Sequence, residues 1–89
     1  MKLVWTRRAL ADLGRIAERI KRDNPTAAAN FVTQVQATVL HLERFPLLGR
    51  VGSYQDTREL ALHKNCLITC RVRADEVQLL QIWHAAQKR

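Results

Sequence analysis

Arg71 and Arg73 stand two residues apart in the stretch Cys66 to Arg73, so on an extended chain both guanidinium groups leave the same side. Paired N–H donors in that arrangement suit a phosphate or a carboxylate. The plainer alternative is a pair of solvated charges that aids solubility. His84 closes the next apolar stretch, and an imidazole titrates close enough to neutrality to serve as general acid or base. A histidine between Trp83 and Ala85 serves equally well as a hydrogen-bonded structural residue. Cys66 and Cys70 fall in one extended run, about 13 Å apart, which exceeds the roughly 7 Å Cα limit for a disulfide. Without histidine or cysteine companions at ligand spacing they make a poor zinc site, so they read as small core residues in a reducing compartment. Neither a metal nor a cofactor is expected.

Such residues need a scaffold, and the bulk composition limits what it can be. The chain's 89 residues allow one hydrophobic core and a single domain spanning 1–89. With 47% hydrophobic and 26% charged residues, it has the proportions of a folded globule and not of a disordered chain. Fifteen Lys and Arg face eight Asp and Glu, a formal charge of +7, which favours a polyanion or an acidic protein as partner. The opening apolar stretch Leu3-Val4-Trp5 is too short for a signal peptide or a membrane span, which predicts action in the cytoplasm.

Lys2 to Trp5 reads as a strand, and Thr6 as the N-cap of the helix that follows. In that helix Leu10, Leu13, Ile16, Ala17 and Ile20 form the apolar stripe, while Arg7, Arg8, Asp12, Arg15, Arg19 and Arg22 fall elsewhere. Gly14 either weakens the helix or marks a close contact. At Asp23-Asn24-Pro25 one helix stops and a second starts, capped by Asn24 with Pro25 in its first turn. It runs to about Phe45 with Phe31, Val32, Val35, Val39 and Leu42 on one stripe, and the short link predicts a helical hairpin. Residues 46–56 read as a loop. Thr57 to Leu62, Cys66 to Arg73 and Val77 to His84 read as a β-meander. The expected fold is α+β in the order β-α-α-β-β-β, an antiparallel sheet with the helical hairpin on one face. The row Cys66, Ile68, Cys70 and Val72 should face the helices, leaving Arg71 and Arg73 on the open face. In the last strand Val77/Leu79/Trp83 and Leu80/Ile82 are both apolar rows, which suits a central strand.

The opening VWTRRALADL, the junction DNPTAAANFV, the segment LERFPLLGR, the strand TRELAL and the ending CRVRADEVQLLQIWHAAQKR together resemble the RelE/ParE toxin superfamily over essentially the whole chain. The resemblance implies a cytoplasmic toxin encoded beside a cognate antitoxin, which neutralises it in a tight complex, a heterotetramer or larger. It implies one of two activities. RelE-like members cleave mRNA in the ribosome, promoting attack of a ribose 2′-OH on the adjacent phosphate. ParE-like members poison DNA gyrase by trapping its cleaved-DNA intermediate and need no chemistry of their own.

Under that resemblance Arg58 matches the family's arginine in the strand after the FP…GR loop, where a guanidinium would hold phosphate and stabilise a pentacovalent transition state. It could instead pair with Glu59 or Asp56, and its parity with Leu60 and Leu62 points it coreward. Arg71 matches a strand arginine that commonly follows an aromatic residue, and His84 a histidine at the end of the last strand. Arg58, Arg71 and His84 would be the catalytic set of an RNA-cleaving member, with Lys64 in support. Here, though, Cys70 precedes Arg71 and no tyrosine follows His84, so the stacking that holds splayed RNA bases would be missing. The ending HAAQKR looks like ParE-type chains, whose C-terminal segment is implicated in gyrase poisoning. The reading is a gyrase inhibitor that touches its target through Arg71, Arg73, His84, Lys88 and Arg89. The alternatives are a RelE-like ribosome-dependent mRNA endonuclease and a non-toxic basic binding module of the same fold. An acidic antitoxin segment would fold on binding beside the helical hairpin, with rim charges paired to Arg7, Arg8, Arg15 and Arg19. No membrane partner is expected.

Overall fold

The computed structural model describes residues 1–52, 54, 56–63 and 65–85, with His63 described by its backbone. In chain order the elements are β1 (Lys2–Trp5), α1 (Arg7–Asp23), α2 (Pro25–Arg44), β2 (Arg50–Val51), β3 (Thr57–His63), β4 (Cys66–Arg73) and β5 (Glu76–His84). They form an α+β fold whose sheet runs β1-β5-β4-β3-β2. The meander β3-β4-β5 is antiparallel, as the strand patterns predict. Two features go beyond that expectation. β1 joins the sheet parallel to β5, from Lys2 beside Glu76 to Trp5 beside Leu79, an arrangement open to strands joined by a long connection. Inside the predicted loop, Arg50 and Val51 pair with Glu59 and Arg58 as an edge strand, too short to show any period in the sequence.

Both helices start where their caps predict. Thr6 Oγ1 accepts the amide of Ala9 at 3.1 Å, and Asn24 Oδ1 accepts the amide of Ala27 at 3.0 Å, each satisfying an N-terminal donor left without a helical partner. Asn24 also closes α1, its own N–H reaching Ile20 O at 2.9 Å. The buried face of α1 differs from the predicted stripe: Ala9, Asp12 and Ile16 are buried, whereas Leu10 is 54% exposed. α2 buries Phe31, Val35, Val39 and Leu42 as expected, together with Ala28. These side chains close the core against Cys66, Ile68, Cys70, Val77, Leu79 and Ile82 of the sheet.

β5 lies between β1 and β4, so its central position holds. Its two predicted rows do not. Thr69 pairs with Gln81 but Cys70 with Leu79, which leaves Leu80 as an extra residue, and such a bulge shifts the alternation of side chains by one. Val77 and Leu79 face the core before the bulge and Ile82 faces it afterwards, while Trp83 turns to the open face, 52% exposed.

Candidate functional site

The open face of the sheet carries Arg71 and Arg73, as strand parity requires. Arg71 sits between Thr57 of β3 and Gln78 of β5. Its Nε is buried and has no hydrogen-bond partner. Arg73 is 3.9 Å from Asp56, with both side chains 59% exposed, and Arg50 is 3.5 Å from Glu59. Exposed pairs of that kind hold little energy. Nearer the other end of the face, Trp83 stands opposite Leu67, which pairs in turn with Ala61.

Arg58 lies on the other side of the sheet, paired with Cys70 in the row that faces the helices. Its Nη1 donates to Gly49 O at 2.9 Å, so the guanidinium fastens the loop before β2 to β3. Gly49 is required there: a Cβ would come within 2.8 Å of Glu59 O. Arg58 also borders a shallow pocket of about 250 Å³ with Leu47, Val51, Thr57 and Val72. Burial pushes the Cys70 thiol up, opposed by the positive Arg58 beside it. Cys66, without such a neighbour, is pushed up to about 11 by burial. Both thiols are free and buried, and as neutral groups they are unreactive.

His84 belongs to the helix-facing side, beside Cys66. Its ring meets Phe31 edge-on at 5.3 Å and 82°, at the mouth of a pocket of about 310 Å³ shared with Ile20, Ala27, Asn30 and Gln34. Arg71 pairs with Gln78, while His84 pairs with Cys66. The two therefore point from opposite faces at stations about 17 Å apart along the strands. Arg58, Arg71 and His84 are three separate sites. Lys64, Lys88 and Arg89 lie outside the described residues.

Arg7, Arg8, Arg15 and Arg19 all fall on the exposed surface of α1. Two of them are already engaged. Arg8 Nε lies 3.2 Å from Asp12 Oδ1, and Arg15 Nη2 pairs with the same oxygen. Asp12 Oδ2 accepts the backbone amide of Ile82 at 2.9 Å. The ladder between β1 and β5 ends at Trp5 and Leu79, where the Thr6 amide also reaches Leu79 O at 3.2 Å, and side chains add to the bonding of β5 from there. Thr6 Oγ1 donates to Leu79 O at 2.6 Å, and Asp12 takes the amide of Ile82. Asp12 is therefore not one of the outer polar residues of α1 but part of its buried face, and its place three after Ala9 and four before Ile16 is the signal in the sequence that it shares their face.

A profile of the ParE toxin of type II toxin–antitoxin systems, parDE, matches residues 3–89. The chain belongs to the ParE toxin family. It is 38% identical over 88 residues to putative toxin Y4kP of Sinorhizobium fredii, covering 98% of this chain and 91% of that protein. It is 33% identical over 86 residues to Toxin RelE2 of Caulobacter vibrioides, covering 97% of each. Among solved structures it resembles a chain of the chromosomal ParDE toxin–antitoxin system from P. aeruginosa, with a TM-score of 0.86 and 30% identity over 94% of this chain and 95% of that one.

In this ParE-family chain the far end of the hairpin presents a second surface. Leu40, Phe45, Leu47 and Leu48 are each at least half exposed. A shallow pocket between Ala37, Leu40, His41, Arg44 and Phe45 opens beside them, and the Arg44 guanidinium lies 5.8 Å from the Phe45 ring centroid. Large apolar patches on a protein surface are a common feature of contact sites for proteins, ligands or membranes. Neither α1 nor α2 is long and apolar enough to cross a membrane.

Proposed function

We propose that this chain is a ParE-type gyrase poison, which holds the enzyme in its cleaved-DNA state and is silenced by a tightly bound antitoxin. The observation that carries the reading is the scatter of Arg58, Arg71 and His84. Cleavage of RNA by its own 2′-OH needs a base at the hydroxyl and a cation at the same phosphate. Groups on opposite faces, about 17 Å apart along the strands, cannot serve one phosphorus atom. A poison needs contacts only, and these fall to Arg71 and Arg73 on the open face, to His84 on the helix-facing side, and to Lys88 and Arg89 later in the chain. The exposed apolar end of the hairpin suits the apolar face of an antitoxin helix. Arg7 and Arg19 stand ready for acidic partners, and Arg8 and Arg15 are shared with Asp12. Such an activity belongs in the cytoplasm.

Purified toxin added to gyrase supercoiling and cleavage assays is expected to accumulate cleaved DNA while leaving in vitro translation intact. Arrested translation with cut mRNA, and gyrase untouched, would overturn the reading. The name of the Caulobacter relative, Toxin RelE2, favours the mRNA endonuclease as the second reading. The double substitution Arg71→Ala with His84→Ala separates the two: it abolishes a nuclease and only weakens a gyrase poison.

A further inference from the structure

We propose that Asp12 is a positioning residue: by taking the amide of Ile82 it fixes the register of β5 beyond Leu80, and so decides which faces of the sheet Trp83 and His84 occupy. What this means for a target rests on the gyrase reading, in which His84 is one of the contacts. The need for such a pin lies in the strand itself. Without an extra residue at Leu80, the alternation that sends Val77 and Leu79 into the core would continue to Gln81 and Trp83, and would turn Leu80, Ile82 and His84 to the open face. The observed pairing, Thr69 with Gln81 and Ile68 with Ile82, reverses that order. Ile82 is 2% exposed and Trp83 52%, and the ring of His84 meets Phe31 on the helix side.

Apolar content separates the two registers weakly. One gives the core Ile82 and the other gives it Trp83, with Gln81 as the polar cost of the second. The sharper difference is on the side of β5 away from β4. The partner strand β1 ends at Leu79, and beyond it stands Asp12 of α1, 1% exposed, with Oδ2 at 2.9 Å from the Ile82 amide. Amides alternate along a strand as side chains do, so a slip by one would turn the Ile82 N–H from α1 toward β4. A buried carboxylate oxygen would then lose its buried donor, a loss that is costly away from water. Arg8 and Arg15 reach the same carboxylate from the solvent side, their side chains 65% and 57% exposed. They steady Asp12, and the Ile82 amide is the bond through which it grips the sheet.

The test follows the full chain by NMR in wild type, Asp12→Ala and Asp12→Asn. Wild type is expected to show cross-relaxation between the Phe31 and His84 rings and an Ile82 amide protected from hydrogen exchange. Asp12→Ala should quicken exchange at Ile82 roughly 5- to 150-fold and weaken the ring contact, while Asp12→Asn, which keeps an acceptor, preserves both. Adding Gly14→Ala to Asp12→Ala returns stability through α1 alone, since a Cβ at Gly14 meets nothing within 4 Å, and it should leave the ring contact weak. A contact that recovers would reduce Asp12 to a source of general stability and overturn the proposal. A wild-type Ile82 amide that exchanges freely would overturn it too, without any variant having to fold. Gyrase cleavage assays carry the functional half: Asp12→Ala should need several times more toxin for the same cleavage, and Asp12→Asn no more than wild type. Wild-type toxin inert toward gyrase would overturn the gyrase reading and leave the register to be decided by NMR. An Asp12→Ala chain that loses the ring contact yet poisons gyrase at full potency would overturn the positioning role and spare that reading.

Discussion

Asp12 is 1% exposed on a helix whose surface carries arginines, and a carboxylate that deep is tolerable only when its oxygens are engaged. One oxygen faces two guanidinium groups, and the other takes the amide of Ile82 and lies 3.3 Å from Arg8 Nε as well. Those contacts differ in worth. The arginine side chains are 65% and 57% exposed, so solvent screens their attraction to well under the strength of a buried pair. The amide of Ile82 is buried, and stranding it costs about 1–3 kcal/mol. Asp12→Ala should therefore lower stability by roughly that amount, while Asp12→Asn, which keeps an acceptor for Ile82, loses about 1 kcal/mol or less. Urea denaturation midpoints would check this, and equal losses in the two variants would show that the amide contact carries no weight.

The glycines of α1 and of the loop before β2 should respond to alanine in opposite ways. Gly14 lies mid-helix and a Cβ there meets nothing within 4 Å, so of the two roles the sequence allows, a weak helical position is the one it fills. Gly14→Ala should stabilise the chain by up to about 1 kcal/mol through helix propensity. Gly49→Ala brings a methyl group against the β3 backbone, and should displace the carbonyl that anchors Arg58 and pull β2 from the sheet edge. Thermal melts are the measurement: for a domain of this size, the first should rise by a few degrees and the second fall. A Gly49→Ala melt at or above wild type would mean the loop can shift without cost.

At the scale of the whole molecule, a formal charge of +7 acts over distances on which individual pairs no longer matter. Arg7→Ala with Arg19→Ala and Arg8→Ala with Arg15→Ala each remove two positive charges, so both doubles should slow association with an acidic antitoxin at low salt by similar factors. Stability should separate them. Only the second strips Asp12 of its countercharges, and only that chain should unfold earlier in urea. Stopped-flow association across a salt series, beside the unfolding curves, tests both halves, and an association rate insensitive to salt would remove electrostatic steering from the account.

Local signals in the sequence determined much of this protein. Thr6 and Asn24 cap because their side chains bond amides three residues on, Pro25 opens a helix because its fixed φ suits a first turn, and Arg71 leaves the open face because Cys66, Ile68 and Cys70 need the core. Each decision is made within a few residues of chain. What the tertiary structure alone decided depends on partners far apart in sequence. Asp12 is a buried acceptor only because Ile82, seventy residues later, brings an amide to it. β1 runs parallel to β5, the first strand of the chain beside the last, a pairing no local signal names. Trp83 reaches the open face only because β4 and β5 meet with an extra residue at Leu80, and alternation within a strand carries no mark of where its neighbour will slip by one.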